Sequence, residues 1–152
     1  MKSWVIKGAY RAKWKYCKNE IGLNTSYNGN TVQVIHHSTT DESAVLAEHV
    51  RLAEGFIART LGLMGRSPLA PGEAMVFPFP DVGRRQIHTL FLRAAIDILW
   101  IEAERVTAKT TLRQWSLGET HQADTVIELP AGAAAAVHVG DIVKLAPETV
   151  PN

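Results

Sequence analysis

The pattern of apolar and polar positions breaks the chain into many short runs. "TVQVIHH", Thr31 to His37, puts Val32 and Val34 on one face and reads as a strand. "STTDES" follows as a turn. "AVLAEHVRLA" fits two periods. Leu46, Val50 and Ala53 lie at helical spacing, while Leu46, Val50 and Leu52 share a strand face. Thr39 followed by Glu42 has the spacing of a capping box and favours the helix. In "EGFIARTLGLMG" the residues Phe56, Ile57, Leu61 and Met64 recur at helical spacing, with Gly62 or Gly65 as the stop. Ala74 to Phe77 is a short apolar strand that Pro78 and Pro80 confine to an edge or a turn. "QIHTLFL", "AIDILWIEA" and "RVTAKTTLR" are three strand-like runs in succession, and "TVIELP" is a strand that stops at Pro130. "AGAAAAV" suits one or two helical turns, near 133–137, because Ala is the best helix former. "GDIVKL" is a last strand opened by a Gly-Asp turn.

Many short strands with few helices predict a mainly β fold with minor α, a compact antiparallel β-barrel or sandwich. The length of 152 residues fits one domain with a sizeable core. An apolar fraction of 46% and a charged fraction of 20% belong to a soluble globular chain.

Charge changes the picture at the N-terminus. Six cations stand against Glu20 alone in residues 1–30, a charge of +5, which leaves −4 for the rest of a chain whose net charge is +1. Trp4, Tyr10, Trp14, Tyr16 and Tyr27 are interleaved with those cations. Such a stretch can stack on bases or lie on a membrane surface, but an arm packed on the domain edge is the plainer reading. The predicted organisation is therefore a basic aromatic arm at 1–30, one β-rich domain at 31–146 and a loose tail at 147–152. With Cys17 as its one cysteine the chain makes no internal disulfide. It has neither an apolar run of ~18 residues nor a signal-peptide core of ~7–15. These features point to a cytoplasmic protein with no membrane span.

From about Val45 to Leu145 the chain resembles the family known as domain of unknown function 192. Four blocks in order carry the resemblance. They are Arg59 with Gly62-Leu63-Met64 and Arg66; His88-Thr89, Phe91, Arg93, Ile96 and Asp97; "IELPAG", Ile127 to Gly132; and "VGD", Val139 to Asp141. The resemblance implies a compact, mostly β domain with a short helix at the Gly-Leu-Met block. It thereby turns "AVLAEHVRLA" towards strand and places the helix near 54–64. It leaves the N-terminal arm unexplained. The chain departs from the family pattern at Leu92, at Ala94-Ala95, at Gln114 and at Glu104-Arg105, where an Asp-Gly hairpin turn is usual and a wider turn is expected here. The family has no established activity, so the resemblance transfers architecture and no reaction.

Candidate chemistry centres on Asp97, a carboxylate inside the apolar run "IHTLFLRAAIDILWI". Burying it is costly unless it is paired. A tight hairpin at Ala94-Ala95 would leave His88 and Asp97 four positions apart on one face, roughly 13 Å at ~3.3 Å per residue. A His-Asp pair therefore requires a corner, bulge or longer crossover at Arg93 to Ala95. The structural expectation is that Asp97 is held by backbone N–H groups, by Thr or by Arg93 and fixes strand register. The functional alternative is a hydrolase-type site in which Asp97 and His88 act as base and orienter. No nucleophile motif accompanies them. The six histidines form no metal-binding pattern, and His36 and His37 point to opposite strand faces. Neither a metal nor a cofactor is expected. Gly62 and Gly65 lack the ending of a phosphate loop.

The sequence thus favours a binding or accessory module for a small molecule, a glycan or a protein, and leans away from an enzyme. Its expected ligand-binding residues are His88, Thr89, Arg93, Asp97, Arg59 and Arg66. Contact with nucleic acid through the basic arm is a weaker alternative.

Overall fold

The structure, a computed structural model, describes residues 26–27, 30–53 and 67–147. Nine strands occur among them: β1 Ser26–Tyr27, β2 Asn30–His37, β3 Ser43–Ala47, β4 His49–Leu52, β5 Glu73–His88, β6 Ile96–Glu102, β7 Arg105–Leu112, β8 Leu117–Pro130 and β9 Ile142–Pro147. Hydrogen bonding orders them β1-β2-β9-β7-β6-β8-β5-β4, with β3 pairing on β2 beside that path. All pairs are antiparallel except β4 with β5.

The expected mainly β architecture is present. Among the described residues the sheet does not close into a barrel, because the hydrogen-bonded path ends at β4 and β7 meets β9 at the single pair Arg105↔Ile142. The stretch that fitted both periods is strand, as β3 and β4. The helix expected near 54–64 lies outside the described residues, as do the arm up to residue 25 and Arg59 and Arg66. The helical turn expected near 133–137 is instead a run of tight turns over 131–136. Ala133, Ala135 and Val137 donate in turn to the carbonyls of Pro130, Gly132 and Ala134. Bonds spaced two residues apart close separate turns and do not propagate a helix.

The central strands carry near-continuous apolar runs because both of their faces are covered. Val76, Leu99, Ile127 and Leu129 enter one cluster with Val34, Ala134 and Val137. Their strand neighbours Met75, Phe77, Ile98, Trp100 and Val126 point the other way into a second cluster. Each strand thus contributes alternate residues to two cores. In β5 the register jumps from Pro78↔Thr125 to Gly83↔Ala123, so residues 79–82 leave the β8 ladder around Pro80, which has no N–H to donate to it. Beyond the jump, β5 returns against Trp100, whose Nε1 donates to the Arg85 carbonyl at 2.9 Å. The Trp100 ring also packs edge-on against His121 at 4.7 Å.

Two connections decide what the sequence left open or expected otherwise. Ala94-Ala95 is not a hairpin tip, because β8 lies between β5 and β6 and residues 89–95 form a crossover. The turn between β6 and β7 is tight, not widened. Glu102 pairs with Arg105, and Ala103 and Glu104 both take positive φ, 51° and 66°. That is the two-residue turn whose twist suits a hairpin.

Candidate functional site

Asp97 lies on β6 opposite Leu129 of β8 and Thr111 of β7. It is buried and fully engaged. Thr111 Oγ1 donates to Oδ1 at 2.6 Å, and the N–H groups of Gly132 and Ala134 donate to Oδ2 at 2.9 Å each. Lys109, two residues before Thr111 on β7, completes the arrangement. Its Nζ donates to the carbonyls of Ala134 and Val137 at 3.1 and 2.7 Å. An anion collects the N–H groups of the 131–137 turns and a cation collects their carbonyls. Bonds to charged groups are stronger than neutral ones, so the turns are clamped over the first core.

The residue types expected around Asp97 are thus partly there. Backbone N–H groups and a threonine hold it, and Arg93 does not. His88 does not bond it either. Asp97 sits at the Leu129 end of β8, whereas His88 pairs with Leu117 at the other end. The crossover that a His-Asp pair required exists, yet it separates the two groups. The Nδ1 atom of His88 is buried without a hydrogen-bond partner.

Thr89 is fully buried and organises a knot between the crossover and the 113–116 turn. Its N–H donates to the Ser116 carbonyl at 2.8 Å, and its carbonyl accepts from the Trp115 N–H at 3.0 Å. Its hydroxyl accepts from the Ser116 N–H at 2.8 Å and donates to the Arg113 carbonyl. Arg93 is exposed, and its carbonyl accepts from Gln114 Nε2 at 3.1 Å.

A second His-Asp pair was not foreseen. His36 Nε2 and Asp141 Oδ2 are 2.7 Å apart, both residues buried, across 105 positions of sequence. The carboxylate also accepts from the N–H groups of His138 at 2.9 Å and Thr39 at 3.3 Å. The His138 N–H, followed by the His36 ring, holds the Asp141 carboxyl below the usual carboxylate range. Asp141 is shielded by its own turn and by His36, and its role is to tie the start of β9 to the end of β2. His37 points to the opposite face, with Ser43 Oγ 2.7 Å from its Nδ1. Among the described residues no cluster of three His, Cys, Asp or Glu could hold a metal ion.

The third buried acid behaves differently. Glu128 of β8 stands between Met75 of β5 and Ile98 of β6 on the face of the second core. Its Oε2 has no hydrogen-bond partner, and burial pushes its carboxyl up to about 8. Two residues on and on the same face, Pro130 pairs with Ile96. Both line an open pocket of about 280 Å³ with Ser67, Leu69, Leu92, Arg93 and Ala95. Sequence reasoning passed over Glu128, although it is the one ionisable group in the run "TVIELP".

The arrangement can be set beside known proteins. The profile of the DUF192 family, described as uncharacterised, matches residues 36–145. The chain belongs to this family. A UPF0127 protein of Pyrococcus abyssi is 37% identical over 101 residues, which cover 62% of this chain and 84% of that one. A UPF0127 protein of Pyrococcus furiosus is 36% identical over 98 residues, covering 60% and 82%. A crystal structure of a protein of unknown function from Novosphingobium aromaticivorans superposes with a TM-score of 0.63 at 22% identity, over 76% of this chain and 86% of that one. This last likeness is one of fold. The DUF192 region contains Asp97, Glu128, Asp141 and the pocket, while residues 1–35 precede it. Among the described residues no helix of this DUF192 protein is long and apolar enough to cross a membrane.

Proposed function

We propose that this DUF192 domain is a small-molecule binding module whose site is the pocket between Ser67–Leu69, the 92–96 segment and Pro130–Ala131. One observation carries the reading: the domain holds an open, mostly apolar pocket, and Pro130 in its wall lies two residues along β8 from Glu128, whose buried Oε2 has no partner among the described residues. A pocket of about 280 Å³ is near the lower end of the range for small ligands. Its lining is mostly Leu, Ile, Ala and Pro, and Arg93 is the charged residue among the described ones that line it. That chemistry suits a compact apolar body carrying a carboxylate, and it suits a glycan poorly. Arg93 is the ligand contact in this reading. Asp97 and Thr89 hold the turns on either side, and Arg59 and Arg66 precede the pocket segment in sequence.

The test is a thermal-shift titration with medium-chain carboxylates and the matching alcohols. Carboxylates should raise the melting temperature of wild type more than alcohols do. Arg93→Ala should remove that preference, and Ala95→Trp, which fills the pocket, should abolish both responses. Equal responses in wild type and Ala95→Trp would refute the site.

A further inference from the structure

We infer that the end of the domain formed by the 89–95 crossover and the 113–116 turn docks on an anionic membrane surface. The inference shares Arg93 with the proposed pocket and otherwise rests on residues outside the ligand contact. Three large apolar side chains are exposed there: Phe91 at 54%, Trp115 at 62% and Leu117 at 70%. They form one patch, since the Phe91 and Trp115 rings meet edge-to-face with centroids 4.9 Å apart, and Leu117 follows Trp115 by two residues.

The backbone presents them at a cost. Phe91 and Trp115 both have positive φ, 63° and 57°. Bulky L-residues avoid that region, and strain of this kind collects at functional positions. Thr89 holds both turns in place through its bonds to Arg113, Trp115 and Ser116. The apolar tips are therefore fixed in solvent and are not loose ends of loops.

Charge selects the occupant. Residues 89–95 and 113–116 contain Arg93 and Arg113, both exposed, and no acid. The first acid after the 113–116 turn in sequence, Glu119, is engaged by His121 Nε2 at 2.8 Å. Three apolar knobs flanked by guanidinium groups match an interface of acyl chains beneath anionic headgroups. Trp prefers that depth because its ring is apolar and its N–H polar. A protein partner would need a larger surface, ~800 Å² a side, than three side chains and two arginines supply. The basic aromatic stretch of residues 1–30 has the composition for a second contact with the same surface, and stable peripheral binding takes two signals.

The experiment is co-sedimentation of the full chain with vesicles of phosphatidylcholine alone and of phosphatidylcholine mixed with phosphatidylglycerol. The variant is Phe91→Asn with Trp115→Asn, because Asn tolerates positive φ. Its melting temperature should equal or exceed that of wild type, so lost binding is not lost folding. Wild type should pellet with the anionic vesicles only, and the double variant should bind them roughly tenfold more weakly or worse. Arg113→Gln should weaken binding in a salt-dependent way. Three results overturn the inference: no pelleting of wild type, equal binding to neutral vesicles, or undiminished binding by the double variant.

Discussion

Replacing Glu128 by Gln separates the cost of burying a carboxyl from the cost of burying any polar group. Burial moves this carboxyl from 4.5 to about 8. The folded protein therefore keeps the proton up to about pH 8, while the unfolded chain releases it near pH 4.5. Between those limits unfolding releases a proton, and stability falls by about 1.4 kcal/mol for each unit of rising pH. Over the whole window the loss is on the order of 5 kcal/mol, a large part of the ~5–15 kcal/mol that holds a domain together. Below the window the penalty vanishes, and above it the penalty is complete. Glu128→Gln keeps the shape, does not titrate, and costs about 1–3 kcal/mol for its buried amide at every pH. Urea unfolding of ligand-free protein at both ends of the window should show the variant equal to or less stable than wild type in acid and more stable in base. If the difference between the two proteins is the same at both ends, Glu128 is not a buried neutral acid and the reasoning fails.

Other consequences are local. Asp97→Ala strips the acceptor from the Gly132 and Ala134 N–H groups and should cost about 3 kcal/mol in urea unfolding, whereas Asp97→Asn keeps an acceptor and should cost about 1 kcal/mol. A Cβ at Gly118 would lie 2.6 Å from the Ile87 carbonyl oxygen, so Gly118→Ala should destabilise by about 1–3 kcal/mol; an unchanged midpoint would show that the β5–β8 approach is looser than described. Ala103→Asn with Glu104→Gly supplies the residues that the positive φ angles demand and should raise stability by about 1 kcal/mol. The lowered Asp141 carboxyl contributes stability that is complete above the ordinary Asp value and is lost as pH falls through its folded value. Asp141→Asn should therefore flatten the acid limb of the stability profile and leave the alkaline limb unchanged.

The strands were legible wherever one residue in two is apolar or a whole run is. Thr31–His37 and Ile96–Ile101 are examples, because a period of two survives any tertiary context. The 43–52 stretch was not settled by its own residues, since Leu46 and Val50 fit both periods; the resemblance gave strand and the structure agrees. The 131–137 segment misled for a physical reason. Its alanines favour helix, yet Asp97 and Lys109 collect its N–H and carbonyl groups from outside, and those bonds replace the helical ones. The holding of Asp97 could be anticipated in kind, because a carboxylate among apolar residues demands donors. Its donors could not be named, as Gly132 and Ala134 lie 35 and 37 residues away. The His36–Asp141 pair left no local signal at all. Glu128 did leave one, a single acid among apolar strand residues like Asp97, and it was overlooked.

The three buried acids among the described residues divide by what their neighbours donate. Asp97 and Asp141 each accept backbone N–H groups, from the 131–137 turns and from the turn before β9, and each fastens a loop to a strand. Their burial is offset where it occurs. Glu128 fastens nothing, and its free oxygen is a standing cost to the fold. An alcohol, unlike a carboxylate, has a proton to donate; one that reaches past the Pro130 wall of the proposed pocket to that oxygen would favour the ionised form and lower the Glu128 pKa. In its presence the decline of stability with rising pH should become shallower. A ligand held by Arg93 alone would raise the melting temperature equally across the pH range and leave the slope unchanged. Melting curves taken with and without ligand at two pH values therefore report whether the ligand's polar group reaches Glu128 or stays at Arg93. Glu128→Gln should erase the slope effect while sparing any contribution from Arg93, and a slope that still responds to ligand in that variant would exclude Glu128 from the site.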